Sequence, residues 1–515
     1  MDPVKLEILK NAFTFVPEEM GTVLRRTAYS PNIKERMDAS CAIFDVQGRM
    51  LAQAEHIPVH LGSMPLAVSY TEKYFKDDLV DGDQIALNDP YHGGSHLNDI
   101  TLVKPVFLDK KLVGYTVNKA HHADVGGKAP GSMPSDSQNL EEEGVVLKPV
   151  KLMEMGVEST EVFQAIEEGT RNPKERLGDL RAQIAANNTG ARRFLFYMDK
   201  YGRKEYNEFV EAILDYSERR VKKAIKTIPN GIYQAEDWMD DDGISDKPVK
   251  IAVMVDLMDE EINFDFTGTD KQVKGNINSP FAVALSSVYY VVRCVTDPYA
   301  PPNHGCLRPI TVNIPKGSLL NPLPPAAVSA GNVETSQRIV DVLFSALAKA
   351  LPERIPAQSQ GTMNNLLIGG KEFTYYETIA GGEGAFFFRN GQSGIHTHMT
   401  NTANTPIEAL ETSYPLRVES YELMENTGGK GKFPGGLGVR RSVRFLGEKG
   451  KLTIISDRRK FPPKGAFGGG DGKVGRNYLV RRGEIIELPS KVTMVMEKED
   501  LVVVETPGGG GYGGS

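Results

Sequence analysis

The stretch 88–127 constrains the fold most, because it holds two clusters of His and Asp at the two ends of a predicted β-hairpin. The clusters read NDPYHGGSHLND and HHADVGG, and about twenty residues separate them. Between them, residues 100–107 and 112–120 are rich in β-branched and aromatic residues, and the polar link Asp109–Lys111 joins the two runs. This pattern predicts two antiparallel strands.

The register of this hairpin brings three potential metal ligands together. A turn centred near residue 109 or 110 sets Asp99 opposite His121, and directly opposed Cβ atoms lie roughly 4.5–5.5 Å apart. His96 precedes Asp99 by three residues, so a single loop turn can aim both side chains at one point. Asp38, just before another predicted strand, has only weak support from spacing as a fourth ligand. Two imidazoles and two carboxylates suit zinc at four coordinates, or manganese or iron(II) when waters complete an octahedron.

His122 and Asp124 compete with His121 for a place on the metal. Neighbouring residues at a strand end point to opposite faces, so we expect His122 beside the metal ligands or in contact with substrate. A single histidine in a soluble protein is most often a surface or hydrogen-bonded structural residue. That alternative stays open for each of these side chains, although their convergence weakens it.

A second constellation lies in the segment GQSGIHTHMTNT. In an extended segment His396 and His398 share a face, so they could bind metal or substrate together, or could be structural. The preceding stretch 381–385, GGEGA, would let the backbone approach a small ligand closely. Arg36, in a basic segment beside Asp38, could contact an anionic ligand, with a solvated basic turn as the alternative interpretation.

Composition excludes several functional classes. The chain of 515 residues carries a net charge of −7 and has a pI near 5.9, so it lacks the basic character of proteins that bind nucleic acid or anionic membranes. We see no signal peptide at the N-terminus and no run of ~18 apolar residues that could span a bilayer. The three cysteines are odd in number and widely spaced, which fits a reducing cytoplasm.

Hydrophobic periodicity predicts a mixed α+β fold. Asp2 and Pro3 begin a helix that Pro17 should break or kink, and further helices are expected from 173, over about 205–228, over 281–295 and over about 335–351. Short strands and hairpins lie between them, without regular βαβ alternation. We therefore expect a multi-lobed α+β protein with antiparallel hairpins and mixed sheets packed with long helices.

The same pattern suggests four parts. Residues 1–150 form an N-terminal α+β metal-binding lobe, 151–235 a helical segment and 236–360 a mixed middle region, and 361–515 form a Gly-rich, strand-rich C-terminal region.

Nucleotide-binding motifs are missing from the sequence. GGGDGK at 468–473 lacks the first Gly of a P-loop and is followed by Val474. Gly508, Gly510 and Gly513 match G-x-G-x-x-G, but no helix follows to offer its N-terminus to a phosphate. A nucleotide, if the reaction needs one, is therefore expected on another chain.

Several blocks, some longer than ten residues, are spread over nearly the whole chain: RRTAYSPNIKERMDASCAIFD, AEHIPVHLGSMP, NDPYHGGSHLNDITLV, AHHADVGGKAPGSMP, LGDLRAQIAANN, AGNVETSQRIVDVL, SQGTMNN, HTHMTNTANTPIE and TPGGGGYG. They resemble those of the hydantoinase B and oxoprolinase family. Within it the chain is similar to the stand-alone B subunit of ATP-dependent N-methylhydantoinase-type enzymes. Ser95 and Asn98 depart slightly from the family's metal block, and neither is an expected ligand.

The resemblance implies a division of labour between two subunits. A separate A subunit would bind ATP and phosphorylate the carbonyl oxygen of a cyclic amide, and this chain would hold a metal and complete the hydrolysis. The family's metal ligands fall on Asp38, His96, Asp99 and His121, so the resemblance supplies Asp38. Two A and two B chains are expected to form a heterotetramer.

The residues leave the general base open among His122, Asp124 and His56. His396, His398 and Arg36 are the candidates for substrate contact. Two other functions remain as alternatives. One is a subunit of an ATP-dependent ketone carboxylase of the acetone or acetophenone type, and the other is a non-catalytic scaffold with a structural metal.

Overall fold

The predicted hairpin lies at the centre of a seven-stranded antiparallel sheet. A computed structural model describes residues 1–54, 57–370 and 373–514. Its strands, in chain order, are β1 (Ala39–Asp45), β2 (Met50–Ala54), β3 (Gln84–Leu87), β4 (Asp99–Leu108), β5 (Lys111–His121), β6 (Val150–Glu154), β7 (Val157–Glu158), β8 (Gly231–Met239), β9 (Val249–Met258), β10 (Glu261–Asp265), β11 (Ile310–Asn313), β12 (Asn365–Gly369), β13 (Thr374–Thr378), β14 (Leu416–Leu423), β15 (Val439–Phe445), β16 (Lys449–Ile455), β17 (Arg476–Arg481), β18 (Glu484–Leu488), β19 (Lys491–Glu497) and β20 (Leu501–Glu505).

The α-helices surround these strands. They are α1 (Pro3–Thr27), α2 (Pro31–Lys34), α3 (Ser63–Phe75), α4 (Thr160–Gly169), α5 (Pro173–Tyr201), α6 (Arg203–Ile225), α7 (Phe281–Val295), α8 (Ser336–Leu347) and α9 (Ile407–Ser413), and a π-helical turn, Gly331–Thr335, leads into α8. Within the described ranges no helix is both long and apolar enough to cross a membrane.

Four sheets organise the described strands. The first has the order β2-β1-β5-β4-β3-β6-β7, the second β11-β10-β9-β8, the third β13-β12-β16-β19 and the fourth β14-β15-β20-β17-β18. Only β10 and β11 pair in parallel among the named strand pairs of the described chain. The α+β prediction, with antiparallel and mixed sheets packed with long helices, is confirmed, and the four-part division of the chain stays a prediction.

The hairpin register is the one predicted. Asp99 pairs with His121, and Ile100 pairs with Ala120. The two turn residues Asp109 and Lys110 have positive φ angles of 51° and 63°, the left-handed conformation that tight hairpin turns require. The hairpin therefore carries its two cluster residues to one end of the sheet.

Helix α1 does not break at Pro17. It runs as one element from Pro3 to Thr27, and the Asp2 side chain caps its first turn by accepting from the Lys5 N–H at 3.1 Å. Pro17 removes one backbone hydrogen bond. Of the two predicted outcomes, the break is wrong because the apolar face around Pro17 is buried against α5 and α6, and this packing holds the helix together. The kink stays a prediction.

Aromatic packing joins α1 to α5 and α6. The ring of Phe13 stacks on Phe209 at 5.1 Å between centroids and meets Phe194 edge-on at 5.7 Å. Tyr206 lies 5.5 Å from the same ring. These helices pack on one face of the sheet that carries Asp99 and His121.

We predict that Phe13→Ala destabilises the protein by about 3–5 kcal/mol, because it leaves a cavity among four packed helical aromatics. Phe15→Ala is the matched control, since Phe13 is 1% exposed and Phe15, on the same helix, is 57% exposed. The control should change stability by no more than ~0.5 kcal/mol. The measurement is the urea-unfolding midpoint, and equal shifts for the two variants would contradict this packing.

Candidate metal centre

Three side chains converge at the end of the hairpin as the spacing predicted. Asp99 Oδ1 lies 3.2 Å from His121 Nδ1, and Asp99 Oδ2 lies 3.1 Å from His96 Nδ1. One ligand atom from each of the three lies within 4.8 Å of the others, and all three residues are buried. Burial alone would raise the pKa of Asp99, but the neighbouring imidazoles hold that pKa well below its ordinary value. The carboxylate is therefore ionised and available to a cation.

His96 has the environment of a ligand. It is fully buried, and neither ring nitrogen has a hydrogen-bond partner among the described residues. A buried polar atom without a partner costs about 1–3 kcal/mol. The short approach to Asp99 is not aligned as a hydrogen bond, whereas a divalent cation would satisfy the imidazole. The donor set therefore fits a divalent metal.

Asp38 lies beside this triad. Its backbone oxygen accepts a 3.0 Å hydrogen bond from the His121 N–H, which continues the pairing of β1 with β5. Burial lowers the pKa of His121, and the Asp38 charge opposes that change. The Asp38 carboxylate is not part of the set that lies within 4.8 Å. Its role as the fourth ligand stays a prediction.

His60 also faces the triad, and sequence reasoning gave it no role. It ends a short 3-10 turn before α3, and its Nε2 lies 3.5 Å from Asp99 Oδ2. The other nitrogen, Nδ1, is 2.9 Å from Ser40 Oγ, and Nε2 has no hydrogen-bond partner in the described chain. Asp38 and Ser40 alternate along one strand, so they share a face. This shared face was the signal in the sequence, because any residue that bonds to Ser40 would then lie near Asp38 and the site.

A serine and a lysine hold the Asp99 carboxylate through two successive hydrogen bonds. Ser95 Oγ donates to Asp99 Oδ2 at 2.6 Å, and Lys119 Nζ donates to Ser95 Oγ at 2.9 Å. Burial lowers the pKa of Lys119 to about 8, and the Asp99 charge opposes the shift. Lys119 precedes His121 by two residues, so both side chains lie on the same face of β5. This chain of hydrogen bonds holds Asp99 in one orientation.

Tyr376 of β13 forms one wall of the site, although it lies far away in sequence. Its ring stacks on His121 with 4.8 Å between centroids, and the Arg36 guanidinium lies 4.7 Å from the Tyr376 centroid. Arg36 Nη1 donates to the Tyr376 carbonyl oxygen at 2.9 Å and to Asn32 Oδ1 at 2.5 Å.

The interpretation of Arg36 as part of a solvated basic turn is wrong, because this side chain is 1% exposed. Its remaining N–H groups donate to Thr378, Thr402 and the carbonyl oxygen of Ala403. Arg36 thus ties α2 to β13, and its donors are occupied by neutral oxygens.

His122 points away from the triad, as strand alternation predicts. Its Nε2 is 2.9 Å from Gln183 Oε1 on α5. The Gln183 amide nitrogen donates to Asn118 Oδ1 and to the Ile100 carbonyl oxygen, so its oxygen accepts and Nε2 of His122 carries the proton. Burial lowers the pKa of His122 to about 4, so the ring is neutral at pH 7.

Asp124 is occupied by structural contacts. One oxygen accepts from the Gly126 N–H and the other from the Gly131 N–H, each at 2.8 Å, and Arg171 pairs with the carboxylate at 2.9 Å. These bonds fix the loop 124–131 beside the triad. His56, the third candidate base, lies outside the described residues.

His396 and His398 lie at a separate cavity of about 340 Å³. Tyr290, Ser359 and Glu383 also line it. Neither ring nitrogen of His396 has a hydrogen-bond partner in the described ranges, and burial lowers its pKa to about 4. The structure does not bring these histidines into the His96, Asp99 and His121 group.

Known proteins resemble the chain over its full length. An uncharacterized protein of Methanocaldococcus jannaschii is 45% identical over 100% of this chain and 91% of its own. A protein of Pseudomonas sp. strain NS671, named as the putative B subunit of a D-/L-hydantoinase, is 34% identical over 100% of this chain and 90% of its own. The chain is 40% identical to 5-oxoprolinase 1 of Arabidopsis thaliana over 99% of this chain, but spans only 42% of that protein.

Two solved structures share the fold. The ATP-dependent caprolactamase of Pseudomonas jessenii matches with a TM-score of 0.94 at 28% identity, over 100% of this chain and 91% of that chain. Nucleotide-free acetone carboxylase matches with a TM-score of 0.89 at 17% identity, over 99% of this chain and 76% of that chain. The hydantoinase B/oxoprolinase family model matches residues 2–515. The chain is therefore a member of the hydantoinase B/oxoprolinase family.

Proposed function

We propose that this chain is the metal-containing B component of an ATP-dependent hydrolase that opens cyclic amides such as hydantoins, 5-oxoproline or lactams. The observation that carries the proposal is the buried group His96, Asp99 and His121, with donor atoms within 4.8 Å of one another. The fold of the chain supports the same proposal, because it matches that of an ATP-dependent caprolactamase with a TM-score of 0.94.

The proposed metal ligands are Asp38, His96, Asp99 and His121. Zinc is the first choice for this mixed nitrogen and oxygen set, and manganese or iron(II) would also fit. When bound, such an ion lowers the pKa of a coordinated water towards neutrality and polarises a carbonyl or phosphoryl oxygen. A catalytic ion bound by these four residues would keep a further position open for water or substrate, whereas the ion of a structural site in a scaffold protein would be four-coordinate and closed.

The chain's own residues orient the reacting groups. Ser95 and Lys119 hold the Asp99 carboxylate, and Tyr376 fixes the ring of His121. His60 Nε2 is aimed at Asp99 Oδ2 at 3.5 Å, so this ring lies beside the reacting groups. His122 would brace the end of β5 through Gln183 and would not touch the reacting atoms.

A partner must supply the activated substrate. Hydrolysis of an unstrained amide is slow because the nitrogen donates electron density into the carbonyl, and phosphorylation of the carbonyl oxygen removes that resonance. The sequence contains no convincing nucleotide motif, so we assign ATP to an A-type subunit in a cytoplasmic heterotetramer of two A and two B chains. His396 and His398 are proposed to contact the cyclic amide in their cavity, and Asp124 and Arg36 to hold the surrounding segments in place.

Carboxylation of a ketone is the second candidate. Acetone carboxylase shares the fold with a TM-score of 0.89, but at 17% identity that likeness concerns the fold alone. Dependence on bicarbonate would separate this reaction from ring opening.

We predict that His96→Ala and Asp99→Ala each abolish stoichiometric zinc binding. Each should lower turnover by at least about 100-fold, because losing a group that only contacts a metal ligand already lowers affinity or activity by about 10- to 100-fold. His92→Ala is the control, because His92 lies in the same loop but pairs with Asp89 at 2.6 Å outside the triad. Metal analysis and turnover of the complex with the A-type partner provide the readout. Full activity of a metal-free His96→Ala, Asp99→Ala double variant would contradict the proposal.

We also predict that ring opening requires the A-type subunit and ATP. The purified pair should convert hydantoin, 5-oxoproline or caprolactam with ATP consumption, and the isolated chain should convert none of them. Acetone with bicarbonate is the comparison substrate. Bicarbonate-dependent carboxylation of acetone without ring opening would replace hydrolysis by the carboxylase function, and turnover by the isolated chain would overturn the division of labour.

His396→Ala should raise KM for the cyclic amide by roughly tenfold, about 1.4 kcal/mol of lost binding. Zinc content should not change, because His396 is not in the group around Asp99. His304→Ala, which alters a histidine of another segment, should leave KM unchanged. Steady-state kinetics of the assembled complex test this, and an unaltered KM in His396→Ala would remove His396 from the substrate site.

A further inference from the structure

Glu334 is a buried acid to which the proposed reaction assigns no role. It lies in the π-helical turn Gly331–Thr335 and is fully buried. Its Oε1 accepts from the Met363 N–H at 3.2 Å and from Asn365 Nδ2 at 2.8 Å. Its Oε2 has no hydrogen-bond partner among the described residues. Short π-helical segments inside helices occur frequently at functional sites, so this turn points to a role beyond packing.

A continuous set of contacts leads from Glu334 to the metal site. Asn365 of β12 donates to Glu334 through Nδ2 and accepts from the Tyr376 hydroxyl through Oδ1 at 2.9 Å. The ring of Tyr376 stacks on His121 at 4.8 Å. Glu334, in the turn before α8, therefore helps to hold the Asn365 side chain that bonds to Tyr376, and the Tyr376 ring packs on His121.

We propose that Glu334 is a positioning residue of the hydrolytic site, acting through Asn365 and Tyr376 on His121. The inference rests on the proposed function for its effect on turnover. The segment NVETSQ (residues 332–337), which lies outside the metal cluster, would thus help to position a metal ligand.

The charges around Glu334 favour its neutral form. Burial raises the pKa of Glu334 to about 8, and the Asp457 charge acts in the same direction. The Thr362 hydroxyl opposes the shift most, followed by Lys491 of β19 and Arg459, and Tyr376 is the titratable group that faces Glu334 from β13. At pH 7 the carboxyl is protonated. Above pH 8, repulsion from Asp457 and attraction to Lys491 and Arg459 would draw the ionised carboxylate away from Asn365.

The direction of the pH effect on stability follows from this pKa. The folded state keeps a proton between the ordinary pKa of 4.5 and about 8, and the unfolded chain releases it. The contribution of Glu334 to stability is therefore full below pH 4.5 and is lost as the pH rises towards 8. Glu334→Gln stays neutral and can still accept from Asn365 and Met363, so it should escape this loss.

The first test uses thermal unfolding of the full chain between pH 5 and 9. The melting temperature of Glu334→Gln minus that of the wild type should rise with pH, and Glu141→Gln, at a surface position, should show no such trend. A difference that is constant across the range would overturn the titration of Glu334. This arm needs neither a substrate nor a partner subunit.

The second test measures zinc affinity and the pH profile of turnover. Glu334→Ala removes one of the two acceptors of Asn365 Nδ2, the other being the Ile455 carbonyl oxygen, and should weaken zinc binding about tenfold, within the range for loss of an outer contact to a metal ligand. Glu334→Gln should restore the affinity. In the complex with the A-type subunit, kcat of the wild type should fall above pH 8, and kcat of Glu334→Gln should not.

The two proposals fail in different ways. Wild-type zinc affinity in Glu334→Ala, or an unchanged alkaline fall in Glu334→Gln, would overturn the positioning role. A wild-type complex that binds zinc but opens no cyclic amide would contradict the proposed function, and the zinc affinity of the variants would still decide the role of Glu334.

Discussion

A carboxylate buried at the end of a sheet must be paired or bound to a metal, because desolvation of its charge is unfavourable. Asp99 meets this requirement with three imidazoles and a serine hydroxyl, and no Lys or Arg contacts it directly among the described ion pairs. The nearest cation, Lys119, reaches it through Ser95. A divalent cation between the imidazoles and the carboxylate would compensate this buried charge and would satisfy the ring nitrogens of His96 that have no hydrogen-bond partner among the described residues. The elements around the site hold Asp99 and the neighbouring histidines in place.

The support comes from elements that are distant in sequence. The hairpin carries Asp99 and His121. Ser40 lies on β1 and Asp38 just before it, and the turn before α3 adds His60. Sheet three then closes the site, because Arg36 binds the backbone and side chains of β13 and Tyr376 covers His121. Precise placement by surrounding groups is what a metal site with an open position requires.

The hairpin was predictable because a strand has a period of two and a short polar link fixes its register. Those two facts placed Asp99 opposite His121 and turned His122 to the other face, and both agree with the structure. The continuity of α1 through Pro17 was not predictable from local preference, because burial of the surrounding apolar face outweighs one lost hydrogen bond. His60, Tyr376 and Glu334 were missed for another reason. Their roles depend on contacts across the fold, and no local spacing encodes which loop or strand reaches the end of the hairpin.

Anomalous diffraction from crystals of the zinc-loaded chain tests the central claim most directly. The account predicts one strong peak within about 2.0–2.2 Å of a donor atom of each of His96, Asp99 and His121, with one coordination position facing solvent or substrate. A peak elsewhere, for example between His396 and His398, or an ion closed by protein ligands with no position open to solvent or substrate, would contradict it.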